Sequence, residues 1–220
     1  MKSDDASSFT GFSYREELAN GAVHGVGAVL SMAGLIVLVA VASTYSDVTY
    51  FMSFSVYGTT LIVLYSASTL YHVIRRARVK QIFELIDHAS IFLLIAGTYT
   101  PFMLISMRGV WGWSLLGVIW LLALVGITTK LFFFYRLKRL SVPIYLIMGW
   151  LGLIVLPQAI VILPLGGLIW LFAGGFLYTL GLIFYVWHRL PYHHAFWHGF
   201  VLAGSLAHYL AVLLYVQPGS

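Results

Sequence analysis

The 220-residue chain contains no cysteine, and only 9% of its residues are charged. The absence of cysteine excludes disulfide bonds, thiolate metal sites and a cysteine nucleophile. Any metal ion must therefore be held by imidazole, carboxylate or hydroxyl groups. The scarcity of charge argues against a soluble domain, because soluble domains carry about 25% charged residues.

Apolar residues make up 61% of the chain. They fall into seven runs of the length that a helix needs to cross a membrane. The predicted limits are 20–42, 51–72, 86–105, 113–133, 142–162, 167–187 and 195–215. The break at Pro164 is the weakest, because Pro157 and Pro164 could instead kink one longer helix. We predict a single all-α domain over residues 16–217, a seven-transmembrane helix bundle. It follows a tail, residues 1–15, that lacks the apolar stretch of a signal peptide.

The basic residues lie almost entirely on one side of these spans. If the N-terminus is cytoplasmic, only Arg108 of the twelve lysines and arginines lies outside. The other eleven are Lys2, Arg15, Arg75, Arg76, Arg78, Lys80, Lys130, Arg136, Lys138, Arg139 and Arg189. The positive-inside rule therefore predicts a cytoplasmic N-terminus and a C-terminus outside. The basic residues behind the net charge of +5 lie in short loops between apolar runs, so this charge does not predict a nucleic-acid partner.

Ionisable residues at membrane depth are costly, so they are candidates for function. The predicted topology places Ser68, His72, Asp87, His194 and His198 near the cytoplasmic ends of three spans. His194 and His198 are four residues apart and therefore face the same side of one helix. A catalytic zinc ion typically has three protein ligands and one open position. We predict that His72, His194 and His198 bind Zn²⁺, although an intramembrane HxxxH pair can also serve helix packing.

The remaining two polar residues fit catalytic roles at such a site. Asp87 is the candidate to hold the reacting water or to act as general base. Ser68 lies one turn from His72 on the same helix face, where it could hydrogen-bond the water, a substrate carbonyl or Asp87.

Further polar residues leave two interpretations open. Glu17, Asn20 and His24 follow one face at the start of the first span. They form either a polar seam that closes the bundle or a set of hydrogen-bonding groups that orient the metal ligands. His88 points away from Asp87 and is expected to pack or bind backbone. His208 lies about 15 Å deeper than the histidine pair, too far to join the same site, and is expected to be a hydrogen-bonded buried histidine.

Together these residues resemble the hemolysin III family, the bacterial branch of the progestin and adipoQ receptor superfamily. The motifs are Glu17-x-x-Asn20-x-x-x-His24, Ser68-x-x-x-His72, Asp87 with residues 88–90, and His194-x-x-x-His198. Segments 68–72, 96–101 and 195–200 are especially similar to bacterial members. The resemblance implies seven helices with the N-terminus inside, and zinc on His72, His194 and His198, with Asp87 near the water. It also implies a multi-pass protein of the bacterial inner membrane.

The adiponectin-receptor relatives are associated with ceramidase-like amide hydrolysis, and the bacterial members with haemolysis and membrane-lipid homeostasis. We therefore predict a zinc-dependent hydrolase of a lipid amide or ester, with a membrane lipid as its substrate. One alternative is a receptor-like regulator of membrane lipid state, with structural zinc and no turnover. A second is a pore-forming haemolysin, which the lack of a charged stripe along the helices disfavours. The sequence leaves the substrate, the physiological metal and the oligomeric state open.

Overall fold

The structure, a computed structural model, describes residues 11–137 and 140–216, apart from the side chains of residues 133–137. Most of the predicted tail therefore lies outside the described residues, as do Lys2, Lys138 and Arg139. Eight α-helices are present in the described ranges, and these ranges contain no strand. The helices are α1 (Tyr14–Ala42), α2 (Val48–Val73), α3 (Ala77–Pro101), α4 (Val110–Leu137), α5 (Ser141–Trp150), α6 (Leu156–Ile162), α7 (Leu165–Val186) and α8 (His193–Tyr215).

Within this described part, seven helical segments are long and apolar enough to cross a membrane. Helices α5 and α6 together form the fifth of these, Ser141–Ile162. The prediction of an all-α, seven-helix membrane domain is confirmed. Pro164 precedes α7 in an extended conformation, so it separates two spans instead of kinking one.

The first two helices begin at polar caps that the sequence supplies. Ser13 and Glu16 form a reciprocal capping box at the start of α1, in which the Ser13 backbone N–H donates to Glu16 Oε2 over 2.9 Å. Asp47 caps α2 by accepting a 2.8 Å hydrogen bond from the Thr49 backbone N–H. Both caps satisfy backbone donors that a helix start leaves without a partner.

Helix α3 begins at Ala77, nine residues before the predicted limit at residue 86. The prediction was wrong because Lys80 and Glu84 were interpreted as loop residues. Both are buried in the structure, with 4% and 9% of their surface exposed. Charges inside a helix are tolerated at this depth when they are paired.

The fifth span is interrupted by a short 3₁₀ segment, Leu151–Val155. Tyr99 of α3 satisfies backbone groups at this break. Its hydroxyl lies 3.1 Å from the Met148 carbonyl and 2.8 Å from the Gly149 carbonyl, and it accepts a 2.8 Å hydrogen bond from the Gly152 backbone N–H. Irregular backbone at membrane depth requires such partners. Pro101, the last residue of α3, is followed by a π-helical turn, Phe102–Ser106.

The arrangement of the helices brings distant parts of the chain together. Helix α2 packs between α1 and α3, while α8 packs against both α7 and α1. Close approach depends on glycine: a methyl group at Gly27 of α1 would lie 2.5 Å from the Tyr65 ring of α2. Helices α1, α3, α5 and α8 begin at one end of the bundle, called here the N-terminal end, where α2, α4 and α7 finish. At the opposite end, Arg108 forms an ion pair with Asp47.

Candidate metal centre

Three histidines meet at the N-terminal end of the bundle. His72 lies in the last turn of α2, and His194 and His198 lie in the first turns of α8. One nitrogen from each of the three rings lies within 4.8 Å of the others. His72 and His198 are buried, and their Nε2 atoms are 3.1 Å apart. The structure thus brings together the three residues predicted as metal ligands.

The donor set and its spacing fit a metal ion. Zinc binds imidazole nitrogen at about 2.0–2.1 Å, which separates two ligands of a tetrahedral site by roughly 3.3 Å. The 3.1 Å between Nε2 of His72 and Nε2 of His198 is close to that separation. These three imidazoles could therefore hold a metal ion.

A carboxylate outside the cluster orients His72. Glu17 of α1 accepts a 2.6 Å hydrogen bond from His72 Nδ1 through Oε2. The other oxygen of the same carboxylate lies 3.0 Å from Lys80 Nζ. Lys80 also donates a 2.8 Å hydrogen bond to the Tyr71 carbonyl and lies over the Tyr71 ring. Such carboxylate–histidine pairs are typical of metal sites, where they fix the tautomer of the ligand.

Asn20 and His24 extend the same face of α1 toward His198. The ring centroids of His24 and His198 are 3.6 Å apart, and the Tyr65 ring meets His24 edge-on at 5.0 Å. The side chains of Asn20 and His24 are fully buried and make no hydrogen bond of normal geometry in the described part of the chain. His24 does not belong to the three-histidine cluster.

Asp87 lies on α3 and lines a cavity of about 340 Å³ together with His24 and His194. It does not belong to the metal-ligand cluster found in the described residues. The hydroxyl of Ser68 lies near the Asp87 carboxyl but completes no hydrogen bond to it. The placement is compatible with the predicted roles of these two residues, in which neither is a metal ligand.

Sequence reasoning missed two charged residues at this site, Lys80 and Glu84. Lys80 pairs with Glu17, and Glu84 lines the same cavity as Asp87. Lys80, Glu84 and Asp87 are spaced i, i+4, i+7 and so share one helix face. That spacing was a signal that α3 begins before residue 86 with a polar face toward the site.

Phe12 covers the site at the N-terminal end. Its ring lies 4.8 Å from the His194 ring and 5.7 Å from the His193 ring, measured between centroids, and it lines the cavity. The Tyr192 backbone N–H donates a 3.2 Å hydrogen bond to Glu16 Oε1, which ties the start of α1 to the start of α8. Phe12 is thus held between the metal centre and the end of the bundle.

His88 and His208, which are not predicted to bind the metal, both contact backbone carbonyl groups. Nδ1 of His88 lies 2.8 Å from the Glu84 carbonyl, a backbone contact of the expected kind. Nε2 of His208 lies 3.1 Å from the Leu171 carbonyl of α7, so the expected hydrogen bond is present, on a side chain that is partly buried.

Comparison with known proteins shows the family of this chain. Residues 12–209 match the family described as Haemolysin-III related. The chain is 46% identical over 204 residues to "Hemolysin-3" of Bacillus cereus, covering 93% of each protein. It is 45% identical over 204 residues to "Hemolysin-3 homolog" of Bacillus subtilis (strain 168), covering 93% of this chain and 96% of the relative.

A human relative is more distant. "Monocyte to macrophage differentiation factor" of Homo sapiens is 28% identical over 170 residues, which cover 73% of this chain and 69% of the relative. The match to the family spans the first six membrane segments and most of the seventh, and it includes the three histidines. This chain is a multi-pass bacterial membrane protein that belongs to the haemolysin-III family.

Proposed function

We propose that this protein is a membrane-embedded, zinc-dependent hydrolase of a lipid amide or ester. The observation that carries the proposal is the meeting of three imidazoles beside a cavity that Asp87 also lines. A structural zinc ion is usually enclosed by four protein ligands, whereas a catalytic zinc ion keeps one position open. Three ligands beside a carboxylate-lined cavity correspond to the second type.

His72, His194 and His198 would hold the ion. When bound there, zinc supplies Lewis acidity, which polarises a carbonyl group and makes water a nucleophile near neutral pH. Asp87 accepts a proton from water as general base, and Ser68 hydrogen-bonds the carboxylate or the substrate carbonyl. The reaction consumes one water molecule and yields a carboxylic acid together with an amine or an alcohol.

The cavity walls indicate a lipid substrate. Beyond the polar end, the lining includes Leu64, Ile91, Leu94, Ile95 and Leu146. Walls of this kind match an acyl chain, since ligand sites are mostly apolar with a few placed polar groups. A lipid amide or ester would lie with its carbonyl group at the histidines and its chain along these residues.

The site is proposed to face the cytoplasm. The positive-inside rule, applied to eleven of the twelve basic residues, supports a cytoplasmic N-terminal end of the bundle. A lipid of the inner leaflet would then reach the metal centre with its head group near the membrane surface. Hydrolysis there fits a role in membrane-lipid homeostasis.

Metal analysis of the purified protein tests the proposal. We expect about one zinc ion per chain, in keeping with a single three-ligand site. His194→Ala should lose that ion, whereas His188→Ala, which changes an exposed histidine, should retain it. A wild-type protein without zinc, or a His194→Ala variant that keeps all of it, would contradict the proposal.

Asp87→Asn separates a hydrolase from a non-enzymatic regulator with structural zinc. A hydrolase should lose turnover of a lipid amide such as an N-acyl sphingoid base, and of a lipid ester such as diacylglycerol, while zinc stays bound. If the wild type hydrolyses neither class in a zinc-loaded state, the regulator is the better description.

The names of the Bacillus relatives suggest a second candidate, pore formation. Its test is leakage of a fluorescent dye from liposomes that contain the purified protein. Leakage that persists in His194→Ala would favour a pore independent of the metal centre. The absence of leakage would argue against pore formation and would leave hydrolysis as the proposed function.

A further inference from the structure

A second cavity lies next to the one beside the metal centre, deeper in the bundle. The second cavity has a volume of about 130 Å³, and its lining includes Phe102, Met103, Met107 and Leu163. Both cavities are lined by Thr98, Tyr99, Gly149, Trp150, Gly175 and His208. They therefore meet at a junction of mixed polarity between two apolar compartments.

His208 is the most polar side chain at this junction, and its two ring nitrogens differ. Nε2 lies 3.1 Å from the Leu171 carbonyl. A carbonyl only accepts, so Nε2 carries the proton, and Nδ1 of the neutral ring keeps its lone pair. Nδ1 makes no hydrogen bond to any residue that the structure describes. The junction thus offers one hydrogen-bond acceptor that the protein itself does not use.

The packing around His208 fixes its position. Gly174 of α7 leaves room for the ring, since a methyl group there would overlap it. The ring of Tyr178, which also belongs to α7, lies 5.4 Å from the His208 ring, measured between centroids. An imidazole held on two sides and bonded through Nε2 presents Nδ1 at a constant place, as a recognition site requires.

The distance from the metal centre can be expressed in carbon atoms. His208 follows His198 by ten positions on α8, which corresponds to about 15 Å along the helix axis. An extended alkyl chain advances by about 1.3 Å for each carbon–carbon bond, so roughly eleven or twelve bonds cover this length. A chain with its carbonyl group at the histidines would pass His208 near its twelfth carbon.

We propose that His208 recognises a hydroxyl group in the middle of an acyl chain. The ligand is a fatty acyl lipid that carries a hydroxyl near carbon 12. Its first half lies in the larger cavity and its end lies in the smaller one. The hydroxyl donates to His208 Nδ1. This inference rests on the proposed function only in placing the carbonyl group at the metal centre.

Competition binding with free fatty acids tests the proposal without requiring turnover. The probes are stearic acid and its 6-, 12- and 16-hydroxy derivatives, each displacing a fluorescent fatty acid from the zinc-loaded full chain in detergent. We expect 12-hydroxystearic acid to bind about five to ten times more tightly than stearic acid, the value of one net hydrogen bond. The 6- and 16-hydroxy acids should bind no better than stearic acid.

Two variants connect this preference to the histidine. His208→Leu should bind all four acids alike, whereas His208→Gln should keep the preference, since its amide can both donate to Leu171 and accept from a hydroxyl. Thr128→Val, which changes an exposed residue of α4, serves as the control and should behave as the wild type.

Several outcomes would overturn the inference. The first is a wild type that binds stearic and 12-hydroxystearic acid equally. The second is a His208→Leu variant that keeps the preference at wild-type affinity. The third is a His208→Leu variant that binds both acids more weakly by the same factor. In the last case His208 only ties α8 to α7. These results would leave the proposed hydrolase intact. A wild type that binds no fatty acid would overturn the inference and the acyl-chain cavity together, while zinc analysis would still test the metal centre.

Discussion

Glu17 holds His72 in the tautomer that a metal ligand requires. The carboxylate, already paired with Lys80, can only accept, so the 2.6 Å hydrogen bond places the proton of the neutral ring on His72 Nδ1. Nε2, which faces His198 at 3.1 Å, then keeps its lone pair for a metal ion. Helix α1 therefore shapes the centre without contributing one of its three ligands.

Replacing Glu17 should weaken metal binding without removing a ligand. Loss of such a partner typically reduces metal affinity about 10- to 100-fold. We expect Glu17→Ala to fall in this range and Glu17→Gln to lose less, because an amide oxygen still accepts from Nδ1. Competition with a chromophoric zinc chelator measures the affinity. Asp47→Asn changes a carboxylate at the opposite end of the bundle and is the control; an equal loss in Glu17→Ala and Asp47→Asn would refute the role of Glu17.

Lys80 should matter for folding more than for the metal. Its Nζ lies 3.0 Å from Glu17, and both side chains are at least nine-tenths buried. Lys80→Met leaves the carboxylate buried without a counter-charge, which costs about 3 kcal/mol or more. Thermal unfolding in detergent should show a large loss for Lys80→Met and a partial recovery in Lys80→Met/Glu17→Gln. Arg76→Met, at an exposed position, should change little. A double variant no more stable than Lys80→Met would contradict this explanation.

Phe12 should slow the exchange of metal with the aqueous phase. Because its ring covers His194, Phe12→Ala is expected to lose zinc faster to a soluble chelator. The equilibrium affinity should stay close to that of the wild type, since no ligand or hydrogen bond to a ligand is removed. Stopped-flow chelation gives the rate. Phe51→Ala removes an exposed phenylalanine at the far end and should exchange at the wild-type rate. Equal rates for Phe12→Ala and the wild type would show that Phe12 does not shield the metal centre from the aqueous phase.

Packing at Gly27 should not tolerate a larger residue. A methyl group there would lie 2.5 Å from the Tyr65 ring, whereas one at Gly117 meets nothing within 4 Å. We expect Gly27→Ala to destabilise by about 1–3 kcal/mol through overpacking. Gly117→Ala should be neutral or slightly stabilising, because alanine favours the helix over glycine. Thermal unfolding of both variants provides the comparison, and equal stabilities would show that α1 and α2 can separate at little cost.

The Asp47–Arg108 pair predicts a pH dependence confined to acid. Hydrogen bonds from Thr49, followed by the Arg108 guanidinium, lower the pKa of Asp47 from 3.8 to about 2. A carboxyl group whose pKa is lowered on folding stabilises the protein above its unfolded pKa and loses this contribution as the pH falls toward its folded pKa. Melting temperatures measured between pH 4 and pH 2 should therefore fall further for the wild type than for Asp47→Asn, which keeps a helix-capping side chain. Parallel curves would mean that the pair is not formed.

The fold could be predicted almost completely from the sequence, because each span must be apolar over a length set by the bilayer. The largest error in a helix boundary was the start of α3, where Lys80 and Glu84 resemble loop residues until their tertiary contacts are known. The partners of Lys80, which are Glu17 and the Tyr71 carbonyl, lie on α1 and α2. Tertiary pairing of this kind cannot be derived from the local pattern.

The candidate site was predictable in part for a related reason. The i, i+4 spacing of His194 and His198 is local, and the charge distribution was enough to place His72 at the same end of the bundle. The second cavity beyond His208 depends on the packing among α3, α5, α6, α7 and α8, and the hydrogen bond from His72 to Glu17 depends on the packing of α2 against α1. The contact of Phe12 with His194 depends on the packing of α1 against α8. That packing joins the two ends of the chain, and no pattern within either helix specifies it.

The distribution of the three histidines over α2 and α8 also sets an order for biogenesis. A nascent chain that has inserted every segment except the last possesses His72 but lacks both residues of the final pair. Metal cannot stabilise any earlier insertion intermediate through this centre, so the first six segments must hold their places by packing alone. If this centre binds an ion, its loading would therefore be the last event of assembly, and a chain truncated before His193 would be unable to retain it.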